Sequence, residues 1–186
     1  GIRGGSATVH FPIWHQEIRD IIVLKNNKGT EDNRVRKLDY SIQLSALFYQ
    51  RFIDNEKITL FSPHDVAGLY DSFGTESFDE LYVKYENDDS IPKTQVDAQE
   101  LILDLLKERA ETGRIYIMNI DHCNSHSSFT DKVEMSNLCQ EITLPTKPVQ
   151  HIDDEHGEIA LCILSAINIG KIRDVQDLET LCDLSV

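Results

Sequence analysis

Thr94-Gln95-Val96-Asp97-Ala98-Gln99-Glu100-Leu101-Ile102-Leu103-Asp104-Leu105-Leu106-Lys107-Glu108-Arg109-Ala110-Glu111-Thr112-Gly113-Arg114-Ile115-Tyr116-Ile117-Met118-Asn119-Ile120 changes its hydrophobic period once, at Gly113. Before it, Ala98, Leu101, Ile102 and Leu105 recur at the helical spacing i, i+3, i+4, i+7. Thr94 opens this predicted helix, and Gly113 stops it because glycine enters the left-handed conformation that ends helices. After Gly113, residues 114–120 form a compact apolar run of strand type. A helix that feeds a short apolar strand is the repeating unit of α/β architecture.

The same alternation extends outward. Residues 57–61 read as a strand, and Ser62-Pro63-His64-Asp65 reads as a helix start, with Ser62 as N-cap and Pro63 at the first helical position. That helix is expected to run towards Tyr85, with a break near Gly74; residues 86–89 read as a solvated acidic turn. Further back, residues 7–14 are β-prone, and Pro12 restricts them to an edge or interrupted strand. Residues 15–24 carry Ile18, Ile21 and Ile22 at helical spacing. Residues 39–55 read as one helix through Leu44, Leu47, Phe48 and Phe52.

Towards the other end, residues 159–169 are almost continuously apolar. A helix fits that length, but Gly157 and Gly170 on either side favour a strand buried on both faces. A last helix opens at Asp174, with Val175, Leu178 and Cys182 on one stripe. The expected fold is α/β with parallel pairing, residues 1–186 forming one domain or part of one. The chain begins Gly1-Ile2-Arg3 and stops inside that last helix, so it is expected to be a piece of a longer polypeptide.

The chain has 186 residues, with 18 Lys and Arg against 32 Asp and Glu, and a formal charge of −14. That charge argues against non-specific nucleic-acid binding, which requires clustered cations. No apolar run approaches a membrane span and no secretory signal opens the chain, so a cytoplasmic protein without membrane contact is expected. Cys123, Cys139, Cys162 and Cys182 are too sparse for a disulfide framework, and CxxC pairs are absent.

Chemistry is suggested first by Asn137-Leu138-Cys139-Gln140-Glu141. In an extended segment, alternate residues share a face, so Asn137, Cys139 and Glu141 would present an amide, a thiol and a carboxylate to one pocket. A loop leading into residues 142–144 is the plainer reading of the same residues. Cys162 lies in the apolar run, where a free cysteine usually packs as a small hydrophobe; Cys182 is expected in the core. His122-Cys123-Asn124-Ser125-His126 contains zinc-ligand types, but Asn124 and Ser125 favour a turn, and no metal site is expected. Arg3 within Gly1–Gly5 suits a flexible loop that contacts a nucleotide.

Taken in order, several segments together resemble the large, catalytic (alpha) subunit of class I ribonucleotide reductase. They are Arg3-Gly4-Gly5-Ser6-Ala7-Thr8, Trp14-His15, Leu24-Lys25-Asn26-Asn27, and Ile58-Thr59-Leu60-Phe61-Ser62-Pro63-His64-Asp65-Val66. They continue with Thr112-Gly113-Arg114-Ile115-Tyr116, Asp121-His122-Cys123-Asn124, Ser136-Asn137-Leu138-Cys139, Leu144-Pro145-Thr146-Lys147-Pro148 and Gly157-Glu158-Ile159-Ala160-Leu161-Cys162.

The resemblance implies part of a ten-stranded α/β barrel, with Cys139 on a loop threading its centre. It implies that Cys139 becomes a thiyl radical that removes the 3′ hydrogen of a ribonucleoside diphosphate. Glu141 would take the 3′-hydroxyl proton, Asn137 would hydrogen-bond the ribose, and Cys162 would be one of two reducing cysteines. Arg3 falls in the family's effector loop. No cofactor is expected to bind directly: the radical would come from a separate metal-containing small subunit, and electrons from a thioredoxin- or glutaredoxin-type dithiol. Other implied partners are the remaining segments of the large subunit, the diphosphate substrate and nucleotide effectors. The resemblance covers about a quarter of that subunit, so the isolated chain is expected to be inactive. The alternative is a non-catalytic remnant or interaction fragment; a small thiol hydrolase would need a histidine against Cys139.

Overall fold

The computed structural model describes residue 2, residues 4–30, residue 32 and residues 34–186. Arg3, expected in a nucleotide loop, lies outside the described residues. The chain divides into two compact units, Gly1–Thr146 and Lys147–Val186.

The first unit begins with strand β1 (Thr8–Pro12) and a short helix α1 (Ile18–Ile22). Strand β2 (Asp39–Leu44) then leads directly into helix α2 (Ala46–Ile53). The single helix expected over residues 39–55 is therefore a strand followed by a helix. Leu44 fits both periods, but Tyr40, Ile42 and Leu44 alternate with Ser41 and Gln43 and pair on both sides, as the middle strand of a parallel sheet ordered β1-β2-β5. Pro12 sits in β1 at the sheet's edge, where its missing N–H costs no ladder bond.

Strand β3 (Lys57–Phe61) pairs antiparallel with β4 (Lys93–Asp97), a connection the expected parallel pattern did not include. Between them lie α3 (Leu69–Ser72) and α4 (Phe78–Glu86). Residues 62–65 make a turn, closed by Asp65 N–H donating to the Ser62 carbonyl at 3.0 Å, and helix begins only after Gly68. Helix α5 (Ala98–Thr112) starts four residues later than Thr94 suggested, because Thr94 is paired with Leu60 in the β3–β4 ladder. Its cap is Asp97, whose carboxylate accepts from Glu100 N–H at 2.9 Å; Gly113 closes it in the left-handed conformation, as expected. Strand β5 (Ile115–Asn119) follows, and then α6 (Ile120–Ser125), a helix where a turn was expected.

An aromatic cluster fills the core: Trp14, Phe48, Phe61, Phe73, Phe78 and Tyr82 are all essentially buried. Ring centroids stand 4.6 Å apart for Phe73–Phe78 and 5.4 Å, edge to face, for Phe48–Tyr82. The break expected near Gly74 is real. Gly74 has φ +88°, and a Cβ there would lie 2.7 Å from Ile120 Cγ1 and 2.9 Å from Asn124 Nδ2. Backbone strain and overpacking act together, so Gly74→Ala is expected to lower stability by about 2–4 kcal/mol. An unchanged midpoint in urea unfolding would contradict this packing.

In the second unit, Lys147 and Glu158 exchange backbone hydrogen bonds at 3.1 and 3.0 Å, and their side chains form an ion pair at 2.8 Å. The Asp154 carboxylate accepts from the backbone N–H groups of Gln150 and His156, which hold its pKa below the ordinary carboxylate range. Residues 159–168 form neither helix nor strand, and Leu161 and Ile163 are 80 % and 93 % exposed. This corrects the buried strand expected there: a strand requires ladder partners, and among the described residues none pairs with this run. Helix α7 (Val175–Ser185) is capped as expected, Asp174 accepting from Asp177 N–H at 2.9 Å. Its apolar stripe is uncovered, so Cys182 is exposed and not a core residue. Among the described residues, no helix is long and apolar enough to cross a membrane.

Candidate active site

The three-stranded sheet has one apolar and one polar face. Register places Thr8 and His10 of β1, Ser41 and Gln43 of β2, and Met118 of β5 on the same side. Ser41 and Gln43 are 0 % and 1 % exposed, although polar side chains in water-facing positions would be solvated. Residues 133–142 run over this face and cover it. Gln43 Nε2 donates to the Glu134 carbonyl at 2.6 Å, and Thr8 Oγ1 donates to the Leu138 carbonyl at 2.7 Å. His10 Nε2 lies 3.2 Å from the Ser136 carbonyl oxygen, and Gln140 Nε2 donates to the Ile117 carbonyl at 3.1 Å.

Helix α6 anchors the start of this covering segment. Asn124 sits one turn after Ile120 and donates through Nδ2 to the Ile120 and Val133 carbonyls at 2.9 and 3.0 Å. Its Oδ1 accepts from Val133 N–H at 2.8 Å. A side-chain amide thereby satisfies both backbone groups of Val133, which is fully buried.

Asn137, Cys139 and Glu141 lie together in this segment, in a tight turn and not in the extended conformation expected. Gln140 N–H donates to the Asn137 carbonyl at 3.1 Å, and Gln140 adopts φ +62°. The Asn137 side chain folds back, its Oδ1 accepting from Glu141 N–H at 3.1 Å and Ile142 N–H at 3.0 Å. Asparagine forms such closures readily because its amide mimics a peptide group. Two backbone donors on Oδ1 fix the amide's orientation and leave its Nδ2 hydrogens pointing elsewhere. Ser136 Oγ closes the base of the turn on the Ile142 carbonyl at 2.5 Å. Cys139 at the tip and Glu141 beside it are both exposed.

Cys162 lies in the second unit, in the exposed apolar run, and is itself exposed. Beside the turn, a shallow cavity of about 440 Å³ is lined by Met118, His122, Cys123, His126, Gln140 and Thr143. Burial, with help from Asp121, pushes the Cys123 thiol pKa up. Among the described residues, no three His, Cys, Asp or Glu side chains are grouped to hold a metal ion. Thr8, His10, Gln43 and Gln140, which fix the turn, carried no signal of their own in the sequence: each reaches a residue far away along the chain. Thr8 and Asn124 stood within segments of the family resemblance, Asn124 also as a turn former, but neither was marked as a brace for the turn.

The arrangement presents a thiol, a carboxylate and an amide donor on one backbone turn, braced against a parallel sheet. All of residues 1–186 match the family model described as "Ribonucleotide reductase, barrel domain". The ribonucleoside-diphosphate reductase subunit alpha of Haemophilus influenzae is 59% identical over 94% of this chain and 24% of its own length. That of Buchnera aphidicola subsp. Schizaphis graminum is 56% identical over 100% of the chain and 25% of its length. The corresponding subunit of Enterobacteria phage T4 is 44% identical over the same shares. The chain thus spans about a quarter of the length of the curated relatives it matches.

Proposed function

The chain belongs to the ribonucleotide reductase family, matching its barrel domain, and from that premise we propose that it carries the radical-bearing part of a ribonucleoside-diphosphate reductase. The observation that carries the reading is the turn of residues 137–142, fixed on the polar face of a parallel sheet with Cys139 at its tip. In this reading Cys139, oxidised to a thiyl radical by a separate metal-containing small subunit, takes the 3′ hydrogen atom of the ribose. An S–H bond forms as the C3′–H bond breaks. The Glu141 carboxylate accepts the 3′-hydroxyl proton, which eases departure of the 2′-hydroxyl as water. Two thiols supply two electrons and two protons and close to a disulfide. One proton leaves in the water, and the other, with one electron, becomes the hydrogen that replaces the lost hydroxyl at C2′. The second electron reduces the carbonyl formed at C3′ as Glu141 returns its proton to the 3′ oxygen, and Cys139 then returns its hydrogen to C3′. The Nδ2 hydrogens of Asn137, left free by the turn, donate to the ribose.

Cys162 is one of the two thiols in this scheme, its partner being a cysteine of the family subunit outside this chain. A thioredoxin- or glutaredoxin-type dithiol re-reduces the pair. Closure of the sheet into a ten-stranded barrel by the remaining segments encloses Cys139 and Glu141, which a radical site requires. Arg3 contacts a nucleotide effector, and the subunit works in the cytoplasm. Combining this chain with the remaining segments, the small subunit, a ribonucleoside diphosphate and a dithiol is expected to yield deoxynucleotide, whereas this chain and the small subunit alone yield none. Folded, complete mixtures that form no deoxynucleotide would leave an inactive remnant as the better account.

A further inference from the structure

His10, on the sheet's polar face, touches the covering segment through its ring. Its Nε2 lies 3.2 Å from the Ser136 carbonyl oxygen and 3.3 Å from the Ser136 backbone nitrogen, three residues before Cys139. A single ring nitrogen serves one of these at a time: protonated it donates to the carbonyl, bare it accepts from the N–H. The other ring nitrogen, Nδ1, is buried with no hydrogen-bond partner. A neutral ring donating from Nε2 leaves only a lone pair at Nδ1, whereas an imidazolium puts an N–H there with nothing to receive it. An unsatisfied buried donor is expensive.

We propose that His10 is a positioning residue for the Cys139 turn, seated against Ser136 as a neutral imidazole because its buried Nδ1 has no acceptor for a second proton, so that protonating the ring drives it from its seat and loosens the turn. This rests on the reading of Cys139 as the reacting thiol. It adds a control of that site by proton concentration, exerted by a residue that touches neither substrate nor radical. Burial lowers the His10 pKa, and the Ser136 contact opposes this only in part. Ionisable groups on the elements around it are Asp39 of β2, paired with Lys25, Tyr116 of β5, and Glu134, Cys139 and Glu141 of the covering segment. Directly opposite on β2 stands Ser41, whose hydroxyl is buried and unpartnered.

The sign follows from linkage. A histidine held neutral contributes its full stabilisation above the ordinary value of about 6.5, and the contribution is lost as pH falls below that towards the ring's own lower pKa. The test is kcat and KM of the full-length subunit, with its small subunit and reductant, for wild type, His10→Gln, His10→Phe and Cys139→Ser. Neither His10 variant has a ring that titrates. The ratio of variant to wild-type kcat is therefore expected to rise at least about threefold from about pH 8 to about pH 5.5, with KM little changed. His10→Gln, whose amide can hold Ser136, should keep more activity at the alkaline end than His10→Phe. A ratio constant across pH overturns the proposal. If a variant fails to fold, ring nitrogen shifts of wild-type His10 decide: titration at the ordinary imidazole value of about 6.5 overturns it. Activity surviving in Cys139→Ser would instead refute the reading of the turn, a separate failure.

Discussion

Cys139→Ser in the full-length subunit is expected to lower nucleotide reduction by at least about a thousandfold while leaving the fold intact. The structure separates the two effects. No bond that holds the turn uses the sulfur: Asn137 Oδ1, Ser136 Oγ, Thr8 Oγ1 and Gln140 Nε2 do that work. An exposed thiol-to-hydroxyl change at the tip therefore costs little stability. On the proposed radical role of Cys139 the change is decisive chemically, because an O–H bond is stronger than an S–H bond and a hydroxyl would not give up its hydrogen atom to the same radical source. Cys123→Ser is the control. Its thiol is half-buried on α6 and stays protonated, so activity should remain within about threefold of wild type.

Glu86→Ala is expected to destabilise the chain by about 3–5 kcal/mol, a large share of the roughly 5–15 kcal/mol that holds a domain together. Arg51 meets Glu86 in a two-pronged ion pair at 2.6 and 2.7 Å, with side chains only 9% and 15% exposed. The Thr59 hydroxyl donates to the same carboxylate, the Arg51 guanidinium also donates to the Lys57 carbonyl at 2.7 Å, and it lies 5.0 Å from the Tyr82 ring centre. Burial alone would raise the Glu86 pKa, yet hydrogen bonds from Arg51 and Thr59 outweigh it and hold the carboxyl below its ordinary value. Its contribution is thus present above the usual carboxylate range and is lost as pH falls through the lowered pKa. Removing Glu86 strands a buried guanidinium, and that penalty exceeds the net value of the pair. Accordingly, Arg51→Met combined with Glu86→Leu should cost far less than Glu86→Ala in urea unfolding. Equal losses would show that the charge left behind is solvated.

Features set by neighbours along the chain were legible in the sequence. Gly113 and Asp174 close and open their helices because a cap depends on residues within one turn. Features set by distant partners were not. Thr94 looked like a helix start but is held in a ladder by Leu60, and residues 39–44 looked helical because their sheet partners lie at residues 8–12 and 115–119. Residues 159–168 have the composition of a buried strand, but composition records a demand for burial and does not supply the surface that meets it.

The candidate site divides in the same way. Asn137, Cys139 and Glu141 stood out by chemical type and by the family pattern around them. Their conformation did not, because Asn137 folds its own amide onto the backbone and draws the segment out of the extended form. Nor could β1 be seen as the brace for this turn. Thr8 and His10 meet Leu138 and Ser136 across 130 and 126 residues.

The most direct test of the account follows the 3′ hydrogen itself. With ribonucleoside diphosphate carrying tritium at C3′, the complete full-length enzyme is predicted to return most of the label to C3′ and to lose a small part to water by exchange at the Cys139 S–H. It is also predicted to convert labelled molecules measurably more slowly than unlabelled ones. Label loss and slowing should both vanish in Cys139→Ser. Release of 3′ label that persists without the Cys139 sulfur would contradict the account.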